Sequence, residues 1–142
     1  MAITYENVIF DRCLESIHLL IANEFNSQIY FDKHEGNHSF LITPVEDVLE
    51  ESLASGQIRN ATTQISYELK AGGNYTKNSV KQISEITERL KRLLYNNRNY
   101  SVSGTIKFYN GLVDEVTYSR DPDDQSILRS VLSFTCTTME LV

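Results

Sequence analysis

Between Ser79 and Asn97 the chain reads SVKQISEITERLKRLLYNN, the clearest alternation of apolar and polar positions in the sequence. Val80, Ile83, Ile86, Leu90, Leu93 and Leu94 recur at helical steps, while Lys81, Glu85, Glu88, Arg89, Lys91 and Arg92 take the opposite side. Ser79 followed by Gln82 predicts a capping box, and the Asn-rich run Asn96, Asn97, Asn99 predicts the stop, since Asn tolerates the left-handed C-cap conformation. Glu85/Arg89 and Glu88/Arg92 have the favourable order for i,i+4 pairs. A lone amphipathic helix is marginal, so this stripe must cover something, and a sheet is the natural partner.

The rest of the chain supplies that sheet. A first helix is expected from a Thr4 cap to about Asn23, with Tyr5, Ile9, Cys13, Ile17, Leu20 and Ile21 as its stripe, Val8 and Leu14 widening it, and Glu6 near its positive end. Gln28–Lys33 is a short β-prone run, and Ser39–Thr43 resumes β character before Pro44. Val45–Gly56, VEDVLEESLASG, reads either as an acidic edge strand or as a short helix, and continuation of the strand is the expectation. Asn60–Lys70 alternates cleanly, with Ala61, Thr63, Ile65, Tyr67 and Leu69 on the covered side. Ala71–Asn78 is expected to be a loop. Val102, Gly104, Ile106 and Phe108 alternate again, and Asn110-Gly111 predicts a tight turn before a strand over Val113–Arg120. Asp121-Pro122-Asp123-Asp124 makes a turn into a last strand, Ile127–Glu140. Hairpin-connected strands with only two helices imply an α+β fold: a mainly antiparallel or mixed β-sheet with two main helices packed on one face, in one domain over residues 1–142.

Composition narrows the function classes. Thirteen Lys and Arg against 19 Asp and Glu leave a net charge of −6, which argues against a sequence-independent nucleic-acid binder. No apolar run approaches a membrane span, so no membrane partner is expected. The two cysteines, Cys13 and Cys136, sit in apolar patterns without a CxxC pair and read as buried free thiols of an intracellularly made protein.

The sharpest chemical lure is His34-Glu35-Gly36-Asn37-His38, which satisfies H-E-x-x-H. In a zinc protease a helix brings both imidazoles to one side of the metal. Here Gly-Asn sits inside the five residues, between two β-like runs, and no third ligand is assigned, so a solvated loop is the better reading and neither His34 nor His38 is expected to hold a metal. Gly72-Gly73 before a helix lacks the phosphate-loop pattern around Lys77 and reads as a plain connection. His18 has no obvious carboxylate partner, and no serine lies in a G-x-S-x-G elbow. No catalytic residue and no cofactor is expected. Eight tyrosines and six phenylalanines fit core packing and subunit contacts.

The C-terminal hairpin, GLVDEVTYSRDPDDQSILRSVLSFTCTTMEL, resembles the corresponding end of bacteriophage tail terminator proteins of the phage lambda type. The shared pattern is a strand ending in Tyr118-x-Arg120-Asp121, an acidic turn, then a strand alternating apolar and Thr/Ser residues up to Met139-Glu140. The order of the other elements agrees, including Tyr30–Asp32, Phe40–Pro44 and Asn60–Lys70, so the resemblance covers nearly the whole chain. It implies a structural virion protein made in the host cytoplasm: a homo-hexameric ring capping the head-proximal end of the tail tube, ending tube polymerisation and joining tail to neck. Its partners would be other copies, the tail tube protein, a neck or connector protein, and DNA passing through the lumen without sequence-specific binding. The loops Ala71–Asn78 and His34–His38 become candidate lumen or inter-ring contacts, and Tyr75, Lys77, Tyr118, Arg120 and Asp121 the interface residues. The alternatives are another neck or head-completion protein, an unrelated interaction module, and, distantly, a small zinc hydrolase acting through His34 and His38.

Overall fold

The structure, a computed structural model, describes residues 2–70, 77–124 and 126–141. After a π-helical turn (Ile9–Leu14) come α1 (Glu15–Glu24), β1 (Gln28–Tyr30), β2 (His38–Leu53), β3 (Gly56–Lys70), α2 (Lys77–Asn96), β4 (Tyr100–Val102), β5 (Thr105–Arg120) and β6 (Ile127–Leu141). The strands form one six-stranded sheet in the order β1-β2-β3-β6-β5-β4, antiparallel except where β1 runs parallel to β2. This is the α+β fold that the alternation implies.

Both helices lie on one side of the sheet. The core joins Ile17, Ile21 and Phe25 from the first helical segment and Ile83, Leu90 and Leu94 from α2 to Phe40, Ile65, Tyr67, Phe108, Leu132 and Phe134 of the strands. Phe40 anchors one half, in ring contact with Phe25 (5.1 Å) and Tyr67 (4.8 Å), and Phe134 the other, edge-on to Phe108 (5.6 Å). Cys13 and Cys136 are free thiols whose sulfurs touch at 3.7 Å beneath the π-helical turn.

The start of the first helix differs from expectation. Residues before Val8 are not helical, so Thr4 caps nothing and Tyr5 is 82% exposed. Asn7 does the capping, its Oδ1 accepting from the Phe10 N–H at 3.4 Å. Glu6 is drawn instead into a two-point pair with Arg12 (2.7 and 3.0 Å), which holds its carboxyl below the usual range. The wide π turn then sets Cys13, Leu14 and Ile17 facing the sheet.

In α2 the predicted stripe is buried at Ile83, Leu90 and Leu94, with Ile86 and Leu93 half-buried, but Val80 is exposed. The helix begins at Lys77, which puts Ser79 inside its first turn rather than at the cap. The expected Glu85/Arg89 pair is replaced by a tertiary one. Arg89 donates to Glu24 Oε1 (2.8 Å) and to the Glu24 carbonyl (3.0 Å) and lies 4.5 Å over the Phe25 ring, tying α2 to the end of α1. Glu85 pairs with Lys81, and Glu88 with Lys91. The stop comes from Asn97, whose side chain donates to the Leu93 carbonyl at 2.9 Å, and not from a left-handed Asn.

The tight turn also moves. Ser103 (φ 51°) and Gly104 (φ 80°) carry the two positive φ angles of a primed hairpin turn, joining β4 to β5 where strand was expected. Asn110-Gly111, the predicted turn, is a bulge inside continuous β5, where the register to β6 jumps between Tyr109 and Leu112. Its cause is tertiary: Asn99 Oδ1 accepts from Asn110 N (3.1 Å) and the Arg98 carbonyl from Gly111 N (2.8 Å). Val45–Leu53 continues β2 as strand, and β3 starts at Gly56, earlier than expected.

Candidate functional site

The β2–β3 hairpin reaches beyond the part of the sheet the helices cover. β1 borders β2 only at Ser39–Leu41, so from there outward the strand is an edge. Every residue from Pro44 to Leu53 is exposed. Acidic residues and two bulges, after Pro44 and after Leu49, are ordinary devices against uncontrolled edge pairing. Val45, Val48, Leu49 and Leu53 nevertheless leave apolar surface in water along the same arm. Asp47 is clamped by Arg59 at 2.8 Å, which fixes the arm's base.

On the side away from the helices, the sheet presents Thr62, Gln64 and Ser66 of β3 beside Ser133 and Thr135 of β6. The loop carrying HEGNH folds back over one end of this side. His34 sits between two hydroxyls, Nδ1 with Ser39 (2.7 Å) and Nε2 with Ser66 (2.9 Å), while His38 Nδ1 turns to Ser27 (2.8 Å). The two imidazoles thus serve different partners. Among the described residues no group of three or more His, Cys, Asp or Glu side chains converges as metal ligands would. Ser66 bonds His34 in the manner of a hydrolase pair, but it is buried and the other imidazole nitrogen is held by Ser39 rather than by a carboxylate. The arrangement orders a loop.

Beside it Glu68, nearly buried, receives Arg129 Nη2 at 2.7 Å and Nε at 3.2 Å, with Asp121 Oδ2 at 3.8 Å from the same guanidinium. Desolvation pushes the His34 imidazole below its ordinary value of 6.5, with Arg129 acting the same way and Glu68 opposing. The unfolded chain therefore takes up this proton more readily than the folded one. Stability from His34 is complete above about pH 6.5 and declines as pH falls through the lowered folded value. The thermal midpoint is expected to drop as the pH is lowered from neutral through about 6.5, and His34→Gln to flatten that drop. Equal slopes in the two proteins would count against it.

Of the residues marked by the sequence pattern, Tyr118 and Arg120 line a groove of about 390 Å³ with Val80, Ile83, Ser84 and Leu128. Asp121 is mainly a turn residue: its Oδ1 accepts from the N–H groups of Asp123 (2.8 Å) and Asp124 (3.2 Å). Lys77 opens α2, and Tyr75 lies outside the described residues. A second groove, about 520 Å³, runs between the end of α2 and β5, lined by Glu88, Lys91, Arg92, Tyr95, Leu112 and Val113. Here Arg92 and Arg98 flank the Tyr95 ring at 5.7 and 4.6 Å. Sequence spacing hides this cluster, because Arg98 follows the helix stop and the loop before β4 swings it back. Among the described residues no helix is long and apolar enough to cross a membrane.

No protein-family model matches this chain, and no curated protein sequence is similar enough to count as a relative.

Proposed function

We propose that this chain is a structural subunit of a phage tail, a tail terminator that rings the head-proximal end of the tail tube, stops its polymerisation and offers a surface to the neck. The specific assignment rests on the Tyr118-x-Arg120-Asp121 hairpin and the element order. The observation that carries the assembling role is the arm: ten consecutive exposed strand residues with apolar side chains spaced along them. A monomer has no use for apolar surface at a sheet edge, whereas repeated contacts around a closed ring bury it in every copy. No chemistry is required of such a protein. An acidic chain also suits a passage for DNA, since it does not grip phosphates.

The test is tail assembly in a phage lacking the chain. Overlong tubes are expected. Tails of normal length that fail to join heads would assign the chain to the neck instead, and complete infectious particles would sink both assignments.

A further inference from the structure

We infer that the β2–β3 arm of one copy docks on the α2–β5 groove of a second copy, joining subunits head to tail. This deepens the ring reading above and rests on its self-association, though not on the identity of the particle.

Asp47 is already neutralised by Arg59, but Glu46, Glu50 and Glu51 make no ion pair among the described residues. In the groove Lys91 is matched by Glu88, while Arg92 and Arg98 have no carboxylate partner among the described residues and rest on Tyr95. A chain of net charge −6 thus concentrates two uncompensated cations at one place and three uncompensated acids at another. Such a pairing steers and orients association.

Apolar surface matches in the same way. Val48 and Leu49 of the arm are about half exposed (49% and 47%), as are Tyr95 and Leu112 of the groove (57% and 53%). Tyr beside Arg is the usual composition of an interface centre.

The arm lies at the β2 edge and the groove at β5, with β3 and β6 standing between them. Both lie toward the same end of the sheet: β3 from Gln57 to Thr62 pairs with Glu140 to Thr135, and Tyr109 and Leu112 pair with Thr137 and Thr135. An arm therefore faces away from its own groove. Two different patches on opposite edges make a heterologous contact, which closes into a ring or runs on as a filament, and does not give a two-fold dimer.

The test uses the full chain and charge reversal on exposed positions. Glu50→Lys with Glu51→Lys inverts the arm, and Arg92→Glu with Arg98→Glu inverts the groove; neither pair breaks an intramolecular ion pair. By sedimentation, wild type is expected to associate in a concentration- and salt-dependent way, and each variant roughly a hundredfold more weakly. Mixing the two variants in equal amounts is expected to restore association, because a lysine arm then meets a glutamate groove and a native arm a native groove. If either variant misfolds by circular dichroism, Glu50→Gln with Glu51→Gln and the salt dependence of wild type carry the same comparison. Wild type that stays monomeric to millimolar concentration, variants that assemble like wild type, or a mixture without rescue would each overturn the contact. So would an arm that binds only added tail-tube protein. Any of these with overlong tails in the phage lacking the chain removes this contact and leaves the terminator reading standing.

Discussion

Phe134→Ala is expected to destabilise the fold by about 4 kcal/mol, the usual loss when a fully buried aromatic side chain is cut back to a methyl. Phe134 is the hub of the β5–β6 half of the core. It meets Phe108 edge-on, and its ring rim lies where a side chain on Gly111 would go. A Cβ built on Gly111 stands 2.6 Å from Phe134 Cζ, 3.0 Å from Cε1 and 3.2 Å from the Arg98 carbonyl. Gly111→Ala alone is therefore expected to cost roughly 2–3 kcal/mol through overpacking, because neither neighbour has room to retreat. In the Phe134→Ala background most of that cost should vanish, since the new methyl enters the vacated space. Urea unfolding of the two single variants and the double variant forms the cycle. Additive losses would mean that Gly111 is held by the bulge conformation and not by Phe134.

Arg129→Ala is expected to cost about 2–3 kcal/mol, less than the loss for a fully buried pair because the guanidinium retains some contact with water. The loss arises mainly from what is left behind. Glu68 keeps only 8% of its surface exposed, so without Arg129 its carboxylate has neither a cation nor enough water. Asp121 loses the same partner at 3.8 Å, and with it a link between the turn before β6 and the sheet. Removing both partners, as Arg129→Leu with Glu68→Leu, should recover much of the stability, since the isolated charge is the costly species. An unfolding free energy within 0.5 kcal/mol of wild type for Arg129→Ala, about the ordinary scatter of surface substitutions, would refute the pairing.

These residues show where local pattern suffices and where it does not. Periodicity located α2, β3 and β6 to within a few residues, because a face buried against one partner imposes its period on every position along it. For Val45–Gly56 the pattern left strand and short helix both open, and the favoured strand is what β2 shows as far as Leu53. Periodicity went astray where a distant group supplies the decisive contact. Asn110-Gly111 has the composition of a turn, yet backbone and side-chain acceptors from Arg98 and Asn99 hold it as a bulge. Ser103-Gly104, inside a stretch expected to be strand, took the turn. Thr87 reads as a polar interruption of the α2 stripe, but it is buried against Ser130 at 2.8 Å, a pairing visible only once helix and strand are stacked. Arg89 looked like half of a helix pair with Glu85 and instead binds α1.

Local pattern is enough to specify the class of fold, the two helices on one side of an antiparallel sheet, the acidic surface and the C-terminal hairpin. All of these follow from burial periodicity and charge count, which neighbouring residues express together. The character of the surfaces comes from packing between distant segments. That packing opened HEGNH by sending His34 and His38 to different hydroxyls, moved the tight turn, left the β2–β3 arm uncovered and gathered Arg92, Tyr95 and Arg98 beside Leu112. Each of those outcomes depends on which non-local atoms arrive at a site, and a one-dimensional pattern of polarity carries no record of that.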